Sequence, residues 1–123
     1  APSISQRAGI YALRNRKAIQ PAIYEEYKNR ACAVAKKVNS IPNMSVLNPK
    51  GTFYLFVNIK NTGLTSEETA QRILDEAHVL LLPGSAFGKS GEGYLRVACT
   101  CGTEVLLEAF DRISRMGIFS KKD

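Results

Sequence analysis

The chain has 123 residues, of which 45% are hydrophobic and 23% charged, and its formal net charge is +6. That length suits one domain with a buried core, and the composition is ordinary for a globular chain. No run approaches the roughly 18 apolar residues of a membrane span, and "APSISQRAGIY" lacks the charged start and long apolar stretch of a signal peptide, so a cytoplasmic protein with no membrane partner is expected.

Residues from about Ser3 to Arg16 have helical spacing, with Ile4, Ala8, Tyr11 and Ala12 on one face. Pro21 suits the first turn of a second helix. In that helix Ile23, Tyr27, Ala31, Val34, Ala35 and Val38 form the apolar face, and "NSIPN" closes it. "MSVL" (Met44 to Leu47) is a short strand candidate, and "NPKG" (Asn48 to Gly51) is turn chemistry, with proline presetting one dihedral and glycine freeing the next. "TFYLFVNI" (Thr52 to Ile59) is apolar on both alternating faces, which predicts a central strand. Thr65 and Glu68 have capping-box spacing, and Ala70, Ile73, Leu74 and Ala77 continue the helix they open. "HVLLLPG" (His78 to Gly84) reads as a short buried strand, "SAFGKSGEG" as a mobile glycine-rich connection and "YLRVAC" as a further strand. Thr103 is the predicted cap of a last helix with Leu106, Ala109, Phe110 and Ile113 inward, and "SKKD" reads as a frayed tail. The order predicts an α+β fold, a small mainly antiparallel sheet of three to four strands with helices packed on one face, preceded by long N-terminal helices.

Several features invite a chemical reading and have a plainer one beside it. Arg14, Arg16 and Lys17 are the densest basic cluster, and a solvated helix face explains them as well as a nucleic-acid footprint does. Cys32, Cys99 and Cys101 are an odd count without framework spacing, which favours a reducing compartment. Cys99 and Cys101 alternate onto one face of a strand, and with His78 the sole histidine a four-ligand zinc site is not expected. "GSAFGKS" (Gly84 to Ser90) has three residues before its Gly-Lys pair where a P-loop needs four, and it leads into a strand rather than a helix. His78 lacks a partner for nucleophilic catalysis. Glu25 and Glu26, like Glu67 and Glu68, read as charges near helix N-termini, where the dipole favours them.

Arg96 is different. In the strand "YLRVAC", Leu95, Val97 and Cys99 should face the helices and Tyr94, Arg96 and Ala98 the opposite side. If that side is water, Arg96 is unremarkable. If another surface covers it, an unpaired arginine is costly to bury and an anion partner is expected. A guanidinium suits a carboxylate, because two parallel hydrogen bonds fix both position and orientation.

Taken in order, "NPKGTFYLFVNI", "TSEETAQRILDEAHV" and "LLLPGSAFGKSGEGYLRVACTCGTEVLLEAFDRI" closely resemble the C-terminal small domain of fold-type I, pyridoxal-phosphate-dependent class I/II aminotransferases of the aspartate and aromatic kind. The proline-glycine turn before an aromatic strand, the "PG..FG" loop, the arginine-bearing strand and the helix ending in Arg112 and Ile113 carry the resemblance, and "PSISQRAGIYAL" is similar to the passage from large to small domain. It implies that residues 1–123 form the small domain, with 1–20 as the linking helix. It implies that Arg96 binds the substrate α-carboxylate and that Phe53 lines the site's edge. The Schiff-base lysine, phosphate ligands and pyridine-nitrogen aspartate belong to a large domain absent from this chain, and neither Lys50 nor Lys89 matches the lysine's motif. No catalytic residue and no cofactor or metal ligand is therefore expected here, and the chain alone should be inactive. Pyridoxal phosphate, an amino acid or 2-oxo acid substrate and a homodimer are implied for the intact enzyme. The alternative is a free-standing basic α+β module that binds RNA on Tyr54, Phe56 and Tyr94, although the signature of sheet-based RNA binders is missing.

Overall fold

The structure is a computed structural model that describes residues 1–120. Helices α1 (Ser3–Arg14) and α2 (Arg16–Val38) lead into strand β1 (Tyr54–Asn58), helix α3 (Ser66–Ala77), strands β2 (Leu82–Pro83) and β3 (Tyr94–Ala98), and helix α4 (Thr103–Ser114). The sheet is antiparallel in the order β1-β3-β2. Lys121, Lys122 and Asp123 of the expected tail lie outside the described residues. No helix among the described residues is long and apolar enough to cross a membrane.

One face of the sheet carries the core. Leu55 and Val57 of β1 and Leu95, Val97 and Cys99 along and just beyond β3 are buried against Val34 and Val38 of α2, Ile73 and Ala77 of α3, and Phe110 and Ile113 of α4. Each of the valine, leucine, isoleucine and phenylalanine side chains among them contributes about 1.5–3 kcal/mol when removed from water. The opposite face carries Tyr54, Phe56, Tyr94 and Arg96 and is not covered by any helix. The predicted architecture and the alternation along β3 both hold.

Several local expectations are corrected. Strand β1 is an edge rather than the centre, because β3 pairs on both sides: Phe56 and Leu82 both lie opposite Arg96. The apolar residues on the second face of β1 are aromatics that line the open side. Met44 to Leu47 supply only a bridge between Ser45 and Asn58 rather than a strand. The segment 78–84 shortens to Leu82–Pro83, since Pro83 has no N–H to extend a ladder, and Leu80 is 72% exposed. At the "NPKG" segment the left-handed conformation falls on Thr52 (φ 62°), not on Gly51. Pro21 lies inside α2 rather than in its first turn, and Glu25 and Glu26 are consequently mid-helix. Gly102, not Thr103, occupies the N-cap of α4, with no side-chain cap. Cys101 lies exposed beyond the end of β3, so it does not share the strand face of Cys99.

The two expected N-terminal helices are present but pack little on the domain. Helix α1 buries none of its residues, and Ile4 and Leu13 are 81% and 70% exposed. Only the C-terminal half of α2 packs on the domain, through Ala31, Val34, Ala35 and Val38. A 12-residue helix is marginal on its own, and α1 has no packing on the rest of the domain that buries a residue.

Helix α3 begins with the predicted capping box: Thr65 accepts from the Glu68 N–H, and Glu68 accepts from the Thr65 N–H. A second tie reaches the same turn from far along the chain. The Glu92 carboxylate accepts hydrogen bonds from the Ser66 N–H (2.8 Å) and hydroxyl (2.9 Å). Bonds from the Ser66 amide and then its hydroxyl hold the Glu92 carboxyl below its ordinary value near 4.5. A depressed carboxylate stabilises the fold above its unfolded pKa, and that contribution fades as pH falls through the lower folded value. Glu92→Gln should therefore lower the thermal midpoint at neutral pH, and the deficit should shrink as pH falls from neutral to about 3. Parallel melting curves separated by the same interval at both pH values would contradict this role.

Candidate functional site

The uncovered sheet face is built around Arg96 at the middle of β3. Its guanidinium carbon lies 4.6 Å from the centre of the Tyr54 ring and 4.2 Å from that of Phe87. Beside them Phe56 stacks on Tyr94 at 5.2 Å and meets Phe87 edge-on at 6.5 Å, and the Lys60 ammonium sits 4.7 Å over the Tyr94 ring. The other half-buried arginines have carboxylates within reach. Arg30 pairs with Glu26 and donates to the Thr100 carbonyl, and Arg112 lies 3.8 Å from Glu108. Among the described residues no carboxylate pairs with Arg96. It is a half-buried cation with ring faces against it, and its guanidinium N–H groups donate to none of the described residues.

Phe87 was not singled out by the sequence, because it sits in the glycine-rich loop read as a mobile connection. The structure shows that loop to be tied down. Gly84 and Gly91 meet backbone to backbone, and a Cβ on either would lie 2.0 Å from the other's carbonyl oxygen. Ser85 Oγ reaches Glu67 Oε1 at 3.4 Å, and Glu92 is bonded to Ser66. The loop is thus pinned at both ends to itself and to the first turn of α3, and the phenylalanine it carries lands against Arg96. The paired glycines at the loop ends, with an aromatic between them, were the available signal.

Phe53 does not join Arg96 directly. Its ring packs on Tyr27 of α2 at 5.6 Å and on Tyr54 at 4.4 Å, so Tyr54 separates it from the guanidinium. With Ile23, Tyr24, Tyr27 and residues 48–52 it lines a groove of about 420 Å³ beside α2. The remaining candidates fall into structural roles. Burial pushes the Cys99 thiol up to about 11, which keeps it protonated and unreactive. His78 is the left-handed residue that ends α3 (φ 54°), its N–H donating to the Leu74 carbonyl. Glu25 and Glu26 pair with Lys28 and Arg30. The "GSAFGKS" loop runs into β3, not into a helix N-terminus.

Comparison with known proteins decides the family. The model for aminotransferase class I and II matches residues 1–113. This chain belongs to that family. It is 41% identical over 116 residues to an aspartate aminotransferase of Pyrococcus horikoshii, an alignment covering 92% of this chain and 29% of the relative. It superposes on an aromatic aminotransferase from the same organism with a TM-score of 0.75 at 42% identity, over 83% of this chain and 27% of that one. A PLP-bound protein of Clostridium difficile, described as an aminotransferase, superposes with a TM-score of 0.76 at 29% identity, over 84% and 27% of the two chains. The chain thus spans about 29% of the length of the curated relatives it matches.

In this chain the position of Phe87 depends on the glycine contact. Gly84→Ala should cost about 1–3 kcal/mol, as overpacking does elsewhere, and should lift Phe87 off Arg96. An unchanged urea midpoint with unchanged Arg96 side-chain resonances would contradict that dependence.

Proposed function

We propose that this chain is the small domain of a PLP-dependent aminotransferase and binds the substrate's α-carboxylate through Arg96. The observation that supports this most directly is a guanidinium at the centre of the sheet with no carboxylate of the described residues to pair with. A carboxylate would accept two parallel in-plane bonds from it, which sets the orientation of an amino or 2-oxo acid. Holding the substrate so supplies part of the barrier reduction as positioning. Phe53, one ring beyond Tyr54, stands at the rim rather than at the carboxylate.

Residues 1–20 are proposed to link this domain to a large domain, and the apolar stripe of α1 and the start of α2 fits such a covering surface. The same face could meet a second subunit of a homodimer. Pyridoxal phosphate, when bound, supplies the electron sink for amino-group exchange. Lys50, Lys89 and the glycine-rich loop do not suit it as anchors. Lys50 and Lys89 are solvent-exposed, and the Gly84–Gly91 loop is closed backbone against backbone, leaving no cradle for a phosphate. We therefore assign the cofactor to the large domain, the carboxylate grip to this one, and no activity to this chain alone.

In the full-length enzyme that contains this chain, Arg96→Ala should raise the KM for amino acids and lower kcat/KM by about a hundredfold or more, with PLP absorbance unchanged. Arg96→Lys should recover only part of the loss, since an ammonium keeps the charge but not the fork. Steady-state kinetics with an unchanged KM in Arg96→Ala would remove Arg96 from the substrate site.

A further inference from the structure

We propose that Tyr54 and Phe87 form a clamp on the two faces of Arg96, with Phe87 as a positioning residue that presents the guanidinium edge-on to a planar carboxylate. This deepens the carboxylate-binding reading of Arg96 and rests on it. An arginine side chain has several freely rotating bonds, and on an open sheet face it would sample many positions. Here ring centres lie 4.6 Å and 4.2 Å from the guanidinium carbon. A ring favours a cation over its face, and a guanidinium offers hydrogen bonds only in its plane. Rings stacked on the guanidinium would leave its in-plane edge to a ligand.

The two sides of the clamp come from different places. Tyr54 opens β1, held to β3 opposite Ala98. Phe87 comes from the loop pinned by the Gly84–Gly91 contact and by the Ser66–Glu92 bonds. Because the clamp orders Arg96 before a ligand arrives, less ordering is left for binding to overcome. Phe87 is 48% exposed, so its ring can be changed without opening the core.

The test is NMR of the Arg96 side chain in the 123-residue chain, as wild type, Phe87→Leu and Phe87→Tyr, followed by titration with sodium acetate. Protons over a ring face are shielded. The expected result is shielded Arg96 resonances in wild type and Phe87→Tyr, a downfield move in Phe87→Leu, and a several-fold weaker acetate response in Phe87→Leu alone. Unshielded Arg96 in wild type, or shielding untouched by Phe87→Leu, overturns the clamp. Shielding lost in Phe87→Leu with identical acetate titrations overturns the positioning role. Intact shielding with no acetate response in any of the three proteins overturns the carboxylate reading on which the positioning role depends, while leaving the geometry standing.

Discussion

The site depends on one steric constraint, the contact between the backbones of Gly84 and Gly91. No other residue type fits at either position, because a Cβ would stand 2.0 Å from the facing carbonyl oxygen. The contact closes a loop whose sequence would otherwise suggest freedom, and it sets where the Phe87 ring falls. The Glu92 carboxylate then fastens the loop's end to the first turn of α3. Arg96 is held in the middle of an antiparallel sheet by its ladder partners, beside Tyr54 of β1 and against the Phe87 ring that the loop places.

The two faces of the sheet divide the labour. The face toward α2, α3 and α4 is apolar throughout and supplies the stability of the domain. The other is aromatic and cationic and leaves the guanidinium available. A buried carboxylate beside Arg96 would make the domain more self-contained and the site useless for binding an anion. The exposed apolar residues of α1 contribute nothing to this domain's core.

Much of the fold was legible because its signals are local. The Thr65–Glu68 capping box, the inward face of α4 and the alternation of Leu95, Val97 and Cys99 against Tyr94 and Arg96 follow from spacing alone, and the structure has them. What was not legible depends on contacts between distant residues. The aromatic strand β1 reads as central from its apolar faces, but one of those faces exists to line Arg96. The periodicity of α1 implies burial, which this chain alone does not provide. The paired glycines around Phe87 were a weak signal in the sequence, because only the structure shows that Gly84 and Gly91 touch and that Phe87 therefore packs on Arg96. Arg96 itself was legible as an oddity from its position in an apolar strand, and the proposal that it grips a substrate carboxylate came through resemblance to a family.

The most direct measurement of the central claim is a thermodynamic cycle between Arg96 and the ligand's carboxylate. Binding of a substrate amino acid and of the corresponding amine, lacking the carboxylate, is measured to the full-length wild-type enzyme and to Arg96→Ala. The account predicts a strong coupling, about 1.5–3 kcal/mol as for hydrogen bonds to charged groups, with removal of the carboxylate costing affinity only when Arg96 is present. Additive losses, with the carboxylate worth the same to both proteins, would contradict it.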